Sequence, residues 1–579
     1  MKKDVCVTIN ATKNYTAQLA SVLMDLQRHS PDLADTVCIF HDGISEEKQE
    51  QLSKIGQPLE FIYWNEVPGN TISREILESY SSLVFARFEY FNLLHKYKAI
   101  VTMDLDILIQ DDISDVLKYG YKSGLAMSEA DYPVLNISNF LDFVPGYAMC
   151  CPLYNAGLMV IRDCLPNYEK MTEWCYKTFG KIHSLLNWGE QGILNLLLQE
   201  FNIEVEEVDI KKYVCHPDRP YISEAVIAHS YGTRKFWNDM GRDHQFPMYR
   251  KNLMEWGKLV ASFSPQPKVS VVMSVYKRSE FLDEAVQSIL AQTLCELELI
   301  VVVEKSDNQQ AVVEKLRSYE DPRIVIICNE ERLGFANSLN VGLEAARGEY
   351  IARFDDDDYS VLERLQIQAD FLDNNQDIDI VGSFIKVFGN CEDEWNKLAT
   401  KDEDIKVRLL RETQLYHPTV MMRAASLRKH GLRYDPSYFT EDYALWAHAA
   451  KYCKFANIPK FLVRYRASGN QLTSGNERLI NNSHLAVMRW QLKEFLHIDA
   501  TYDELALFSK RINIMPLLHH KSKAKRKKIL FIFKVIVKNM THKFYSNRAL
   551  IYSFVGYKEG KLKRRLSRLV SKIKKRFRR

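Results

Sequence analysis

The sequence predicts an α/β protein built of two successive sheet-and-helix units and a basic helical C-terminal region. Three observations carry that prediction. Apolar strand-like runs alternate with amphipathic helical stretches from the start of the chain, the pattern of a largely parallel sheet covered by helices. The alternation breaks at SFSPQPK (262–268), whose two prolines lie outside any apolar periodicity, and then restarts. Each half also carries an apolar strand that runs into aspartates, VTMDLDILIQ at 101–110 and ARFDDDDYS at 352–360. With 579 residues the chain is too long for one core, so two or three domains are expected.

Taken in order, the first unit opens on the strand VCVTIN (5–10) and an amphipathic helix through AQLASVLMDLQRHS (17–30). The second opens on KVSVVMSVY (268–276). Ser279 is placed to cap a helix whose Leu282, Ala285, Val286, Ile289 and Leu290 share one face. LELIVVVE and RIVIICNE read as further strands, and a helix over 334–347 leads into the aspartates. From about residue 473 the character changes: HLAVMRWQLKEFLHI (484–498) reads as helix, and the remainder is basic and helical. The expected domains are therefore 1–262, 268–475 and 476–579.

Composition is ordinary for a globular protein, at 46% hydrophobic and 26% charged residues. The net charge of +4 is unevenly spread. The final stretch, KLKRRLSRLVSKIKKRFRR (561–579), holds eleven Lys and Arg and no acid, which leaves the rest of the chain at about −7. In that stretch Leu562, Leu566, Leu569, Val570, Ile573 and Phe577 form an apolar stripe on a cationic helix, the pattern of a segment lying on an anionic membrane surface. KSKAKRKK (521–528) is a second basic cluster. The apolar run 529–537 is interrupted by Lys534 and is short of the roughly 20 residues that span a bilayer. Eleven scattered cysteines without a CxxC pair read as reduced thiols, and the N-terminus has no signal-peptide core. The expected location is cytoplasmic, peripheral on the inner face of the membrane. No nucleic-acid motif is present.

An Asp-x-Asp triplet arises about once or twice by chance in a chain this long, and its plain reading is a solvated loop. Residues i and i+2 of an extended chain point to one side, so Asp104 and Asp106 can face one cation, as can Asp355 and Asp357. Carboxylates suit Mg²⁺ or Mn²⁺, ions that keep open positions for phosphate oxygens. The implied ligand is a metal-bound nucleotide at the carboxyl end of a strand, where α/β sheets place their ligands.

Several separated motifs then give residues 1 to about 255 a resemblance to glycosyltransferase family 8, the retaining, lipopolysaccharide-galactosyltransferase-like group. They are Asn14-Tyr15 after the first strand, Arg87 in VFARFEYFNLL, MDLDILI, YNAGLMVIR, EQGILN and HSYGTRKFW. The resemblance implies a GT-A domain in which Asn14 and Tyr15 hold the uridine of a UDP-sugar. It places Asn155, Ala156 and Gly157 by the donor sugar, with Glu190 and Gln191 facing it. His229 becomes a third metal ligand beside Asp104 and Asp106, Gly232 a close backbone approach and Lys235 a phosphate contact. Phe236 stands where the family has proline, and Glu190 and Gly192 where it has aspartates. The retaining step is open between Glu190 or Gln191 as nucleophile and front-side attack guided by the leaving phosphate.

Residues 268 to about 475 resemble glycosyltransferase family 2, inverting enzymes of the same GT-A fold. VSVVMSVYKRSEFLDEAVQSILAQT, RLGFANSLNVGLEAARGEYIARFDDDDYSVLERLQIQ, LYHPTVMMR and EDYALW follow in family order. The resemblance makes Asp355 and Asp356 nucleotide contacts, Asp357 the metal ligand, Arg364 a support of the loop and Asp442 the catalytic base beside Glu441. Val303 replaces the first aspartate of the family's second-strand motif, and Glu304 stands for the second. Read without the family, Glu441 and Asp442 are acids at a helix N-terminus, favoured by the helix dipole, with Thr440 as cap.

The whole therefore reads as a bifunctional transferase with one Mn²⁺ or Mg²⁺ per domain. It would act on nucleotide-sugar donors and a lipid-linked glycan acceptor to build capsule, lipooligosaccharide or O-antigen. Nucleotidyl transfer is the rival within enzymology, and neither first strand is followed by the Gly-rich phosphate loop it would use. A binding or scaffold protein with one degenerate domain is the other rival.

Overall fold

The structure is a computed structural model. It describes residues 2–64, 82–130, 137–139, 141–186, 190–238, 242–263, 266–277, 279–395, 398–468, 476–509, 523–547, 549–550 and 553. The tail stripe of 561–579 lies outside the described residues. The chain divides into two units, Met1–Phe263 and Ser264–Arg579, at the proline-containing stretch that the sequence marks.

In the first unit β1 (Lys3–Ala11), β2 (Thr36–His41), β3 (Leu59–Tyr63), β4 (Tyr97–Met103), β6 (Leu125–Glu129), β7 (Tyr154–Arg162) and β8 (Glu206–Glu207) form one sheet, ordered 3-2-1-4-7-6-8. β5 (Ile107–Ile109) and β9 (Ile227–His229) form a separate antiparallel pair. The β3-β2-β1-β4 half is parallel, whereas β7 runs antiparallel to β4 and β6. Cys6, Val7 and Ile9 of β1 are fully buried, as a strand covered on both faces requires. Helix α1 (Thr16–His29) turns Leu19, Leu23 and Leu26 inward. Its buried Asp25 accepts from Asn252 Nδ2 at 2.7 Å and ties α1 to a later helix, Pro247–Phe263, that the sequence reading did not foresee.

The second unit repeats this logic with β10 (Val269–Val275), β11 (Leu297–Val303), β12 (Ile324–Cys328) and β13 (Tyr350–Arg353), paired in parallel in the order 12-11-10-13. The sheet continues through β17 (Met421–Arg423), β15 (Ile380–Gly389), β18 (Phe455–Ala467) and β14 (Tyr359–Ser360), with β16 (Asp393–Trp395) on β15. The helix foreseen after Ser279 runs Leu282–Leu290 and buries the five expected residues. Ser279 Oγ accepts from Phe281 N at 3.2 Å, one turn ahead of the helix proper.

Helix α2 (Glu441–Ala449) packs under this sheet. Helices α3 (Glu477–Leu496) and α4 (Lys523–His542) join the same core. Trp446 of α2, Leu492 and Phe495 of α3 and Phe531, Ile532 and Val535 of α4 belong to one continuous apolar cluster with Ile300 and Val302 of β11. Gln491 Nε2 also donates to Leu409 O at 2.8 Å. The change of composition near residue 475 is thus not a break in packing. No described helix is long and apolar enough to cross a membrane.

Candidate active sites

The first acid site is assembled by strand pairing. Asp104 and Asp106 lie in the bend between β4 and β5, not in an extended strand. The side-by-side argument from extended geometry is therefore corrected: β5 pairs with β9, Ile107 opposite His229, and Ser230 N donates to Asp106 O at 2.7 Å. That pairing, rather than an i, i+2 spacing, brings three ligating groups together. One ligand atom each from Asp104, Asp106 and His229 falls within 4.8 Å of the others. His229 Nε2 is 3.2 Å from Asp106 Oδ1 and 3.4 Å from Asp104 Oδ2, yet it is buried without a well-aligned hydrogen bond.

Two carboxylates and an imidazole nitrogen aimed at one point fit a divalent cation. Burial disfavours a charged His229, but the Asp106 and Asp104 carboxylates outweigh it and raise the imidazole to about 9. Burial likewise disfavours the Asp106 carboxylate, but His229 and Lys235 hold it well below the usual range. A bound cation would take the place of that proton.

The surroundings are ordered by Arg87. Its guanidinium pairs with Asp104, donates to Ala156 O at 2.9 Å and lies 3.1 Å from Glu190 Oε1. Burial opposes its charge, and Asp104 and Glu190 more than offset that. Glu190 is itself pushed upward by burial, against the pull of Arg87. Gly157 leaves room for the cluster: a Cβ there would lie 2.3 Å from His229 Cε1 and 2.8 Å from Asp104 Oδ2. Asn155 Oδ1 accepts the Gly157 amide at 2.6 Å. Gly232, at φ +86°, turns the chain so that Lys235 reaches back to pair with Asp106. Tyr15 packs against Trp237 with ring centroids 5.7 Å apart, and Asn14 is exposed on the same turn.

Gln191 begins the helix Gln191–Glu200 and is half-buried. The sequence reading passed over Asn195. Its side chain bonds Tyr154 N at 2.8 Å, Tyr154 O at 3.0 Å and Gln191 O at 2.9 Å, locking the Asn-Ala-Gly strand to the Glu190-Gln191 helix. The signal was present as the asparagine of EQGILN.

In the second unit the four aspartates again follow a strand end in a bend, after β13. Asp355 pairs with Arg353. Burial, then the neighbouring carboxylates, push Asp356 up to about 7 and Asp357 to about 6. Asp358 is fully buried. One of its oxygens accepts Arg466 N at 2.8 Å, and the other has no partner among the described residues. Arg466 Nε also donates to Asp357 O at 2.7 Å, and the buried Arg364 donates to Arg353 O at 2.9 Å. Arg466 holds the loop itself and Arg364 the end of the strand that leads into it, so the crowded acids are held rather than dispersed. A bound divalent cation would relieve the repulsion that raises these carboxylates.

Glu441 and Asp442 open α2. Burial, then Asp442, raise Glu441 to about 8, and burial raises Asp442. Thr440 does not cap the helix with its side chain, because its hydroxyl is engaged with Ser483 Oγ at 2.7 Å. Arg353 and Asp355 act electrostatically on both acids, so the aspartate loop and the acid pair share one field. His417 and Tyr434 were missed from sequence. His417 Nε2 lies 2.8 Å from Tyr434 OH, and its Nδ1 faces Glu441 at 3.9 Å. Glu304 is buried and accepts Leu333 N at 2.9 Å, Gly334 N at 2.8 Å, Ser338 Oγ at 2.8 Å and Asn329 Nδ2 at 3.3 Å. Burial opposes its charge, and those four donors hold it below its usual range.

Two family models match the segments that carry these residues. The model of glycosyl transferase family 8 matches residues 6–241, and that of glycosyl transferase family 2 matches residues 270–432. An uncharacterized glycosyltransferase of Haemophilus influenzae is 31% identical over 277 residues, 46% of this chain and 83% of its own. The chain belongs to the glycosyltransferases. A second uncharacterized glycosyltransferase, from Methanocaldococcus jannaschii, is 34% identical over 40% of this chain and 81% of its own. The Escherichia coli UDP-Gal:alpha-D-GlcNAc-diphosphoundecaprenol beta-1,3-galactosyltransferase is 30% identical over 35% of this chain and 75% of its own. The first acid site thus belongs to a family 8 domain and the second to a family 2 domain, both GT-A folds, with the helical region following.

Proposed function

We propose that the chain is a bifunctional, metal-dependent glycosyltransferase in which each domain transfers a sugar from a nucleotide-sugar donor. The observation that carries this reading is the presence of two acid sites with different chemistry beside them. One brings Asp104 and Asp106 together with His229 and Lys235, and in the other Asp355 of the four-aspartate loop acts electrostatically on the pair Glu441-Asp442. Mn²⁺ or Mg²⁺ held by Asp104, Asp106 and His229 in one domain, and at Asp357 in the other, would supply Lewis-acid stabilisation of the departing diphosphate.

The remaining work falls to the chain. In the family 8 domain Asn14 and Tyr15 hold the uridine of a UDP-sugar, Lys235 steadies its phosphates, and Arg87 fixes Asp104, Ala156 and Glu190 around the sugar. Transfer there retains configuration and leaves an α-linkage. In the family 2 domain Asp355 and Asp356 hold the nucleotide. Asp442 takes the proton of the acceptor hydroxyl as it attacks opposite the leaving group, inverting configuration to a β-linkage. The name of the E. coli relative, a transferase acting on a diphosphoundecaprenol-linked sugar, supports a lipid-linked acceptor and a bacterial surface glycan. That acceptor suits a chain working from the cytoplasm at the inner membrane face.

The inward commitment of Glu304 favours a second reading, one active transferase beside a degenerate family 2 domain that binds acceptor. A hydrolysis screen separates the two. Each nucleotide sugar is offered with Mn²⁺ to wild type, Asp106→Ala and Asp357→Ala. Two donors consumed, each lost in a different variant, is the expected result. Loss confined to Asp106→Ala would leave one working transferase.

A further inference from the structure

Helix α4 has two apolar faces, and among the described residues only one of them is buried in the core. Phe531, Ile532 and Val535 point inward and are buried, as is Asn539. On the other side Leu530, Val537 and Met540 are 62%, 48% and 61% exposed. Lys527, Leu530, Lys534 and Val537 succeed one another at spacings of 3, 4 and 3, which places them on a single helical stripe. Lys527 and Lys534 are exposed, and Lys538 is half-exposed beside them. The surrounding chain is one-sided in charge: residues 505–558 hold thirteen Lys and Arg and no Asp or Glu. A surface helix that served only to close the core would carry polar residues where Leu530, Val537 and Met540 stand.

We infer that the outer face of α4 seats the second unit on an anionic bilayer, its three apolar side chains entering the headgroup boundary and its lysines meeting lipid phosphates. Charge selects the occupant. A segment that carries thirteen cations and no acid over 505–558 disfavours other basic proteins, and the apolar side chains between the lysines gain nothing from a nucleic-acid backbone but are removed from water by lipid. This face lies on the helix Lys523–His542, outside the basic stretch 561–579. It shares a core with Trp446 of the helix that begins at Glu441 and Asp442. The seat therefore holds the acid pair at a set height and tilt above the lipid. That consequence rests on the proposed transferase reading, whereas membrane binding itself does not.

The test uses the full chain in flotation with vesicles of phosphatidylglycerol and phosphatidylcholine, with pure phosphatidylcholine vesicles and a short duplex DNA as comparison. Wild type is compared with the triple variant Leu530→Ser, Val537→Ser, Met540→Ser, whose substitutions sit on exposed positions. The variant should lose tenfold or more of its affinity for anionic vesicles while its melting temperature and nucleotide-sugar hydrolysis stay at wild-type level. Unchanged vesicle affinity would assign all binding to the tail and overturn the seat. Equal affinity of wild type for DNA and for anionic vesicles would overturn it as well. Loss of hydrolysis in wild type itself would strike the transferase reading and leave the vesicle result standing.

Discussion

At the scale of single residues, both sites depend on groups that tolerate almost no change. Gly157 is the sharpest case. A Cβ 2.3 Å from His229 Cε1 must displace the imidazole, so Gly157→Ala should weaken Mn²⁺ binding to the first domain at least tenfold with the fold intact. Calorimetric titration with Mn²⁺ measures this. Glu441 makes a pH-dependent prediction. Its carboxyl titrates near 8 in the folded protein against a usual 4.5. Between those values the folded chain holds a proton that the unfolded chain has released, so stability falls as pH rises through that window. Glu441→Gln removes the loss. Melting temperatures of wild type and variant should lie closer at pH 5 than at pH 8, with the variant ahead at pH 8. Asp442→Asn should abolish transfer by the second domain and leave nucleotide affinity near wild type, checked by UDP titration beside an activity assay. A parallel loss of affinity would remove Asp442 from the role of base.

At the scale of elements, the clamps decide whether the sites hold their shape. Asn195 joins a strand to a helix through three hydrogen bonds, and Asn195→Ala strands buried backbone groups at a cost of about 1–3 kcal/mol. The expected outcome is a lower melting temperature and a lower rate in the first domain, with the second domain unaffected. What could be read in the sequence, and what could not, also divides at this scale. Strand-forming runs such as VCVTIN and LELIVVVE announce themselves because each is buried on both faces. The acid motifs stood out because adjacent carboxylates need a compensating charge. The routes by which remote residues reach those motifs were not legible. His229 arrives through the β5–β9 pairing, His417 from the 3₁₀ turn His417–Thr419 and Tyr434 from a loop, which no local spacing encodes. Thr440 looked like a cap, but its hydroxyl went to Ser483, a partner 43 positions away. Local propensity cannot register such a competitor.

At the scale of the whole molecule, two units with separate cores should melt separately. Scanning calorimetry should resolve two transitions. Adding UDP and Mn²⁺ at about one hundred times their dissociation constant should stabilise a liganded unit by about 2.7 kcal/mol, and Asp106→Ala should abolish the shift of the first unit alone. The division at Phe263–Ser264 falls in the stretch where prolines and lost periodicity coincide. Near residue 475 the turn to basic composition suggested a further boundary, yet the core of the second unit carries on past it through Leu492, Phe531 and Val535. That continuity constrains how such chains are recombined, in evolution or at the bench. A family 2 module cut where the family match ends, at residue 432, or where the composition shifts would leave an apolar wound. The inheritable cassette runs from the proline junction to at least Leu550, with its helical buttress attached.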